Sequence, residues 1–80
     1  MIKGILQTSF IAKDTLERFA NLGIDVKKGT KVIIRHQQNV RTGDYSLLNH
    51  LGMLITHITA DEVKVLAGEK IYNRIVQKEM

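Results

Sequence analysis

The basic side chains are the residues of this sequence best suited to a function, which is to bind an anionic ligand. Lysine and arginine neutralise the phosphates of a nucleic-acid backbone, and several of them on one sheet face would suit that task. The members of this set fall at a polar turn, along the strand predicted to follow it, in the next loop and in a later predicted strand. The candidate nucleic-acid-binding residues are Lys27, Lys28, Lys31, Arg35, Arg41 and Lys64.

Side-chain amides near these cations can add selectivity, because asparagine and glutamine hydrogen-bond the edges of bases. Aromatic residues that could stack on bases are scarce: only Tyr45 and Tyr72 are candidates, since both phenylalanines suit the core. A plain alternative is a solvated lysine face that only keeps the protein soluble. The amides close to basic positions are Gln37, Gln38, Asn39 and Asn49.

Groups that could support catalysis are scattered. His36 and His57 fall in different predicted strands and can face each other, but no HxH or HExxH spacing brings histidines together. The one adjacent pair of carboxylates, Asp61 and Glu62, lies where a turn or helix start favours negative charge. Residues 27–30 resemble the end of a phosphate-binding P-loop, yet the upstream glycine and the following helix are missing. We therefore expect no catalytic residue, no metal and no cofactor, and no enzyme activity.

Length and composition set the class of protein. Eighty residues with 44% hydrophobic content predict one globular domain over residues 1–80. The absence of cysteine excludes disulfides and cysteine-based zinc sites, and the net charge of +4 suits an anionic partner. A domain this small lies near the margin of stability, which favours self-association. No apolar stretch is long enough to span a membrane and no export signal is recognised, so a cytoplasmic location without membrane partners is expected.

The N-terminal half is predicted to place a helix after the first strand. Residues 2–6 form a short apolar run that favours a strand. Apolar residues at helical spacing predict a helix over residues 11–22. Gly23 is expected to end this helix, with Ile24 folding back on Phe19 in a Schellman arrangement.

The middle of the chain is predicted to form two strands joined by a loop. Residues 31–36 are dense in β-branched side chains and favour a strand. Residues 37–44 show no periodicity and end in a Gly-Asp turn, so they form the most loop-like and mobile stretch. Residues 51–58 return to strand character.

The last third of the sequence fits two alternatives. As a helix, Thr59 to Glu62 form a complete capping box, with Ile58 and Val63 as the hydrophobic staple. A single helix from residue 60 would expose large apolar groups, however, and would carry Gly68 at its centre at a cost of about 1 kcal/mol. We therefore favour a strand over residues 62–66, a break at Gly68 and a helix over residues 69–78. The predicted fold is α+β, in the order β-α-β-β-β-α, with a small antiparallel sheet that can curl into a barrel.

The C-terminal segment resembles the carbon storage regulator family. The matching residues are Glu62-Val63-Lys64-Val65, then Glu69, Ile71-Tyr72-Asn73-Arg74-Ile75 and Gln77-Lys78-Glu79. Members of that family are RNA-binding translational repressors that form domain-swapped dimers of antiparallel strands with a C-terminal helix. The resemblance therefore implies RNA binding, translation regulation, a homodimer, and a strand followed by a helix in this segment.

The resemblance departs from the family pattern at the residues that contact RNA. The arginine that follows E-V-x-V in the family is absent, since residues 66–68 are Leu-Ala-Gly, and one extra residue precedes Ile71. The N-terminal L-I-L-T-R signature is matched only by residues 5–9, again without its arginine. If the resemblance holds, Lys64 and Arg35 would have to replace these contacts.

Two functions from different classes follow. The first is a small basic nucleic-acid-binding regulator, of RNA rather than DNA, non-catalytic and dimeric. The alternative is a protein-interaction module, either a homo-oligomerising scaffold or a phage-type inhibitor of a host protein. The alternative rests on the apolar stretch from Leu47 to Ile58, in which Leu47 and Leu48 are expected to be exposed.

Overall fold

A four-stranded antiparallel sheet with three helices makes up residues 6–76, the part of the chain that the computed structural model describes. This confirms the α+β class. Strands β1 to β4 follow one another across the sheet, and the edge strands β1 and β4 do not pair within these residues, so the sheet is open rather than a barrel. No helix in this range is long and apolar enough to cross a membrane. The elements are β1 (Gln7–Ile11), α1 (Glu17–Leu22), β2 (Lys31–Arg35), β3 (Tyr45–Asn49), β4 (Leu54–Ile58), α2 (Ala60–Ala67) and α3 (Glu69–Ile75).

One face of the sheet forms the hydrophobic core together with the helices. Side chains of a strand alternate between the two faces, so residues paired across strands share a face. The pairs on the core face include Phe10 with Val32, Ile34 with Leu47 and Tyr45 with Ile58. The helices cover this face with buried side chains from each of them, namely Phe19 of α1, Val63, Leu66 and Ala67 of α2 and Ile75 of α3.

The first strand and helix differ from the prediction at their boundaries. Residues 2–5 of the strand predicted at residues 2–6 lie outside the described residues, and β1 occupies Gln7–Ile11. The helix predicted from residue 11 was wrong at its start, because Ile11 pairs with Lys31 in the sheet and α1 begins only at Glu17. Thr8 and Phe10 are buried while the residues on either side of each are exposed. This period of two is typical of a strand, and it prevails here over the helical spacing of the apolar residues.

The end of α1 follows the prediction. Gly23 adopts the left-handed conformation, with φ 73° and ψ 21°. The backbone N–H of Ile24 donates to the carbonyl of Phe19 at 2.8 Å, which is the long-range bond of a Schellman ending. The ending directs the chain back towards the sheet, and Ile24 packs against the core.

The strand predicted over residues 62–66 is wrong, since these residues belong to α2. The hydroxyl of Thr59 accepts the backbone N–H of Glu62 at 3.2 Å, and the carboxylate of Glu62 accepts the backbone N–H of Thr59 at 2.9 Å. This reciprocal capping box satisfies two backbone donors at the start of the helix. The capping signal therefore outweighed the apparent strand alternation.

Gly68 separates two short helices, which is neither of the alternatives read from the sequence. Its φ of 91° and ψ of 163° interrupt the helix between α2 and α3. The interruption resets the helical phase, so Leu66 before it and Ile75 after it both reach the core. The break predicted at Gly68 is thus confirmed, and the terminal helix runs over Glu69–Ile75, with residues 77–78 of the predicted range lying outside the described residues.

Strand β3 was not predicted, and it changes the exposure of two leucines. The strand predicted over residues 51–58 begins only at Leu54, because residues 50–53 form the hairpin turn between β3 and β4. Leu47 and Leu48, expected to be exposed, are buried. A register shift between them in the pairing with β4 is the mark of a β-bulge.

An ion pair joins α1, α2 and β4. The guanidinium of Arg18 donates to both carboxylate oxygens of Glu62, from Nε at 2.7 Å and from Nη2 at 2.9 Å. The same Nη2 also donates to the backbone carbonyl of His57 at 2.9 Å. The hydrogen bond from Arg18 lowers the pKa of the Glu62 carboxyl, and partial burial opposes this shift.

We expect Gly68→Ala to destabilise the fold more than Gly23→Ala. The backbone of Gly68 lies in a region open almost only to glycine, where an alanine costs about 1–3 kcal/mol. A Cβ at this position would also approach Cδ of Lys13 to 2.9 Å. Gly23 is the matched control, because its left-handed conformation costs alanine only about 1–2 kcal/mol and no atom of the described residues lies within 4 Å of its Cβ position. Urea unfolding measures both free energies, and equal losses would contradict the assigned backbone conformation of Gly68.

We expect the Arg18–Glu62 pair to lose its stabilising effect in acid. Because the pKa of Glu62 is lowered in the folded state, its contribution is present above the usual carboxyl pKa and disappears as the pH falls through the folded-state value. Urea unfolding of Glu62→Gln, Arg18→Leu and the double variant gives the coupling energy, expected to be about 1 kcal/mol at neutral pH after allowance for solvent screening. A coupling that persisted unchanged at pH well below the folded-state value would contradict this assignment.

Candidate nucleic-acid interface

The sheet face opposite the helices carries a row of polar side chains. Gln7 of β1 pairs with Arg35 of β2, and Ser46 of β3 pairs with His57 of β4. The β2–β3 register pairs Ile34 with Leu47 and therefore continues to Arg35 beside Ser46. All four strands thus contribute one side chain to a row at the same end of the open face.

The loop over residues 36–44 closes over this end of the sheet and is held by its own hydrogen bonds. The side-chain oxygen of Asn39 accepts the backbone N–H groups of Arg41 at 2.8 Å and Thr42 at 3.2 Å. Nε2 of Gln38 donates to the carbonyl of Gly43 at 2.6 Å, and Gly43 donates in turn to the carbonyl of Asn39 at 2.7 Å. The absence of helix or strand predicted for residues 37–44 is confirmed, while these bonds give the loop a defined shape.

Loop and sheet together enclose an open groove of about 420 Å³. The groove brings together two of the predicted site residues, Arg35 from the strand and Arg41 from the loop. Among the described residues that line the groove there is no carboxylate, so neither arginine is paired with one there. The lining residues are Arg35, Gln37, Gln38, Asn39, Val40, Arg41 and Ser46.

Arg35, which lines the groove, carries an unsatisfied donor. Its Nε is buried and makes no hydrogen bond within the described residues. A buried donor without an acceptor costs about 1–3 kcal/mol.

The predicted amides have structural roles as well as free atoms. Asn39 holds the loop through its oxygen, and the oxygen of Asn49 accepts the backbone N–H groups of Leu51 and Met53 in the hairpin turn, each at 2.9 Å. The side-chain amide of Gln37 makes no hydrogen bond to the described residues and lies in the groove. Of the amides predicted to contact bases, Gln37 is thus the one whose whole amide remains available.

Lys27, Lys28 and Lys31 lie at the other end of β2. Lys31 and Arg35 point to the same face, and the strand between them spans about 13 Å. All three lysines are exposed. Lys27 lies 3.8 Å from the carboxylate of Asp25, a contact between exposed groups that contributes little. The lysines thus extend the positive charge along the open face beyond the groove.

Lys64 and the two tyrosines do not belong to the open face. Lys64 lies on α2, not on a strand, and its ammonium group is 5.6 Å from the centre of the Tyr72 ring. Tyr72 packs partly against the core. Tyr45 is buried in the core, and this burial raises the pKa of its phenol. The prediction that Lys64 shares a sheet face with Arg35 was therefore wrong, and neither tyrosine offers a stacking surface there.

The two histidines predicted to lie in strands are on opposite faces. Nε2 of His36 and the hydroxyl of Thr8 are hydrogen-bonded at 2.6 Å on the side of the sheet that faces the helices. His57 pairs with Ser46 on the open face. Within residues 6–76, no group of three or more His, Asp or Glu side chains lies close enough to hold a metal ion.

The sequence missed two residues of the site. Ser46 was overlooked because β3 was not predicted, and Gln7 because the first strand was placed too early. The alternation of Gln7, Ser9 and Ile11 with Thr8 and Phe10 was the available signal for β1. No comparable alternation marks residues 45–49, where Leu47 and Leu48 are adjacent and both buried.

Comparison of the chain with protein-family models, curated proteins and solved structures found no match in any of the three. The resemblance to the carbon storage regulator family stays a prediction. The strand that it implies over Glu62–Val65 is part of α2 in the structure.

Proposed function

We propose that the protein is a non-catalytic regulator that binds nucleic acid, RNA in preference to DNA, through the open face of its sheet. The observation that carries this proposal is that Arg35 and Arg41 line one groove, in which the described part of the chain places no carboxylate. Two uncompensated cations in a concavity attract an anionic ligand, and phosphate contacts supply most of the affinity of proteins for nucleic acids.

The positions of the other basic residues support an extended nucleic-acid strand as the ligand. Lys31 lies on the same face as Arg35, with Lys27 and Lys28 in the turn that precedes β2. A nucleic-acid strand lying along β2 would pass from the groove to these lysines. Because the groove is concave, an unpaired nucleotide of a single strand can enter it with its phosphate and base. A nucleotide in a duplex cannot, because its base is held by its pairing partner. Protein recognition of RNA sequence commonly uses such single-stranded segments.

We expect Arg41→Glu to weaken binding to short mixed-sequence RNA and DNA oligonucleotides by about 10-fold or more and to reduce the slope of log affinity against log salt by about 1. Lys64→Glu is the matched control, because it changes the net charge by the same amount on the helical side of the molecule. Fluorescence anisotropy at about 50 and 200 mM salt measures both effects.

Equal losses in the two variants would show that only the net charge attracts nucleic acid and would contradict the proposed groove. No binding of the unchanged protein at low salt would contradict the function itself. Tighter binding of DNA than of RNA would contradict the preference for RNA.

A second candidate function, self-association, is favoured by apolar side chains at the opposite end of the sheet. Leu51, Met53 and Leu54 are 70%, 61% and 57% exposed, and they adjoin one another in and after the hairpin turn. Exposed apolar groups that lie together mark surfaces that bind other proteins. These residues replace Leu47 and Leu48, which are buried, as the apolar surface of a protein-interaction module.

If this surface joins two copies of the chain, Met53→Ser should lower the apparent molecular mass in light scattering at high protein concentration. Leu22→Ser is the matched control, since Leu22 is also 61% exposed but lies on α1. We expect the control to associate as the unchanged protein does. A strictly monomeric unchanged protein at every concentration would exclude this function.

A further inference from the structure

The outer edge of β1 carries backbone groups that have no partner in the described residues. The backbone N–H of His36 donates to the carbonyl of Leu6 at 2.9 Å, and that of Ala12 donates to the carbonyl of Thr30 at 2.8 Å. Hydrogen-bonded pairs alternate along an antiparallel ladder. The even-numbered residues of β1 therefore bond to β2, and the odd-numbered ones turn their N–H and C=O groups away from it. These odd-numbered residues are Gln7, Ser9 and Ile11.

The two edges of the sheet differ in how they are protected. A free edge tends to pair with another strand, and proteins oppose this with charged side chains, prolines, bulges or a covering element. In β4, Ile55 is the extra residue of the bulge, and Arg18 donates to the carbonyl of His57 at 2.9 Å. The five residues of β1 include no charge and no proline, and their pairing with β2 shows no register shift. The free part of this edge ends at Lys13, whose N–H donates to the carbonyl of Leu66 at 2.8 Å.

We propose that β1 pairs with β1 of a second copy of the chain, in an antiparallel dimer whose two-fold axis passes beside Ser9. In this register Ser9 lies opposite its own counterpart, and Gln7 lies opposite Ile11 of the second copy. Each such pair exchanges two backbone hydrogen bonds, so every outward N–H and C=O group of β1 gains a partner. The two four-stranded sheets become one continuous sheet. This inference does not depend on the binding of nucleic acid.

A second copy fits this edge because the edge is complementary to itself. The free residues are symmetric about Ser9, so a two-fold rotation brings each donor to an acceptor, as in an isologous interface. Leu6 and Ile11 are 72% and 55% exposed beside this edge, on opposite faces of the strand. In the dimer Leu6 lies opposite Ala12 of the second copy, and Ile11 lies opposite Gln7. A domain of this size gains stability when a partner subunit covers such side chains.

The cations of the neighbouring strand lie too far apart to oppose this pairing. Lys31 and Arg35 of β2 pair with Ile11 and Gln7 of β1. In the dimer, Lys31 of one copy is therefore separated from Arg35 of the other by three strand spacings, about 14 Å. This separation exceeds the screening length of about 8 Å at physiological ionic strength. The positive charge of each open face is thus screened from that of the other.

Single cysteines test the register directly, because the chain has none of its own. We expect Ser9→Cys to form a disulfide-linked dimer on mild oxidation, since the two Cα atoms would lie about 5.5 Å apart. Gln7→Cys and Ile11→Cys are matched controls that lie about 13 Å from their own counterparts. Each alone should crosslink much more slowly than Ser9→Cys, whereas a mixture of the two should crosslink readily. Equal crosslinking of all three variants when alone would overturn the proposed register.

A proline at the centre of the edge tests the backbone bonds. Ser9→Pro removes an outward N–H and leaves the bonds between β1 and β2 in place, and proline is tolerated at such positions of edge strands. We expect it to weaken dimerisation in analytical ultracentrifugation by about 10- to 100-fold, the loss of two backbone hydrogen bonds. Ser9→Thr is the matched control, because it keeps the N–H and should dimerise as the unchanged protein does. Amide spectra establish that both variants are folded.

Hydrogen exchange tests the unchanged protein. In the monomer, the N–H groups of Thr8 and Phe10 should be protected by β2, while those of Gln7, Ser9 and Ile11 should exchange freely. At higher protein concentration the last three should become protected as well. These amides and the cysteine crosslinks decide the question even if Ser9→Pro does not fold.

A protein that stays monomeric at every concentration overturns the inference, as does a dimer in which the outward amides of β1 stay unprotected. A dimer that Met53→Ser disrupts and Ser9→Pro leaves intact is formed by the hairpin surface and also overturns it. If the chain dimerises through β1 but binds no RNA, the inference stands and the proposed function fails. If it binds RNA as a monomer, the function stands and the inference fails.

Discussion

The carboxylate of Glu62 fixes the position of three elements at once. It accepts two hydrogen bonds from Arg18 of α1 and one from the backbone of Thr59, at the start of α2. Through a third hydrogen bond of Arg18, to the carbonyl of His57, the same cluster reaches β4. A bidentate pair of this kind adds geometric specificity beyond its modest energy. Because both helices are tied to one side of the sheet, the other side is left without a helical layer in the described residues.

That asymmetry governs what the open face can do. A sheet covered on one side normally exposes polar side chains on the other, and the row from Gln7 to His57 follows this rule. The open face also buries Leu48, which is only 2% exposed although it lies outside the main core cluster. Its register partners are Ile33 of β2 and Leu54 of β4. The centre of this face is thus apolar, and its cations lie towards the ends of β2, where the groove and the lysines are found.

Local signals predicted the turns and failed where tertiary packing decides. Gly23 and Gly68 were correctly predicted as breaks, because a backbone with positive φ strongly favours glycine. The segment after Thr59 was misread because it forms two short helices whose apolar faces are offset at Gly68. That pattern fits neither a single helix nor a strand followed by a helix. The Arg35–Arg41 pair was predictable because the two residues are close in sequence. The location of Lys64 was not predictable in this way, because it depends on whether residues 62–66 form a strand or a helix.

An ordered loop matters for the groove because it determines where Arg41 lies relative to the sheet. The oxygen of Asn39 accepts the backbone N–H groups of Arg41 and Thr42, so this part of the loop has a defined shape before a ligand arrives. A loop without these bonds would sample many shapes, and a ligand would have to order it at a cost in conformational entropy. A preorganised site avoids much of that cost, so the proposed binding of nucleic acid would use a groove whose lining, with Arg35 from the strand and Arg41 from the loop, is already formed.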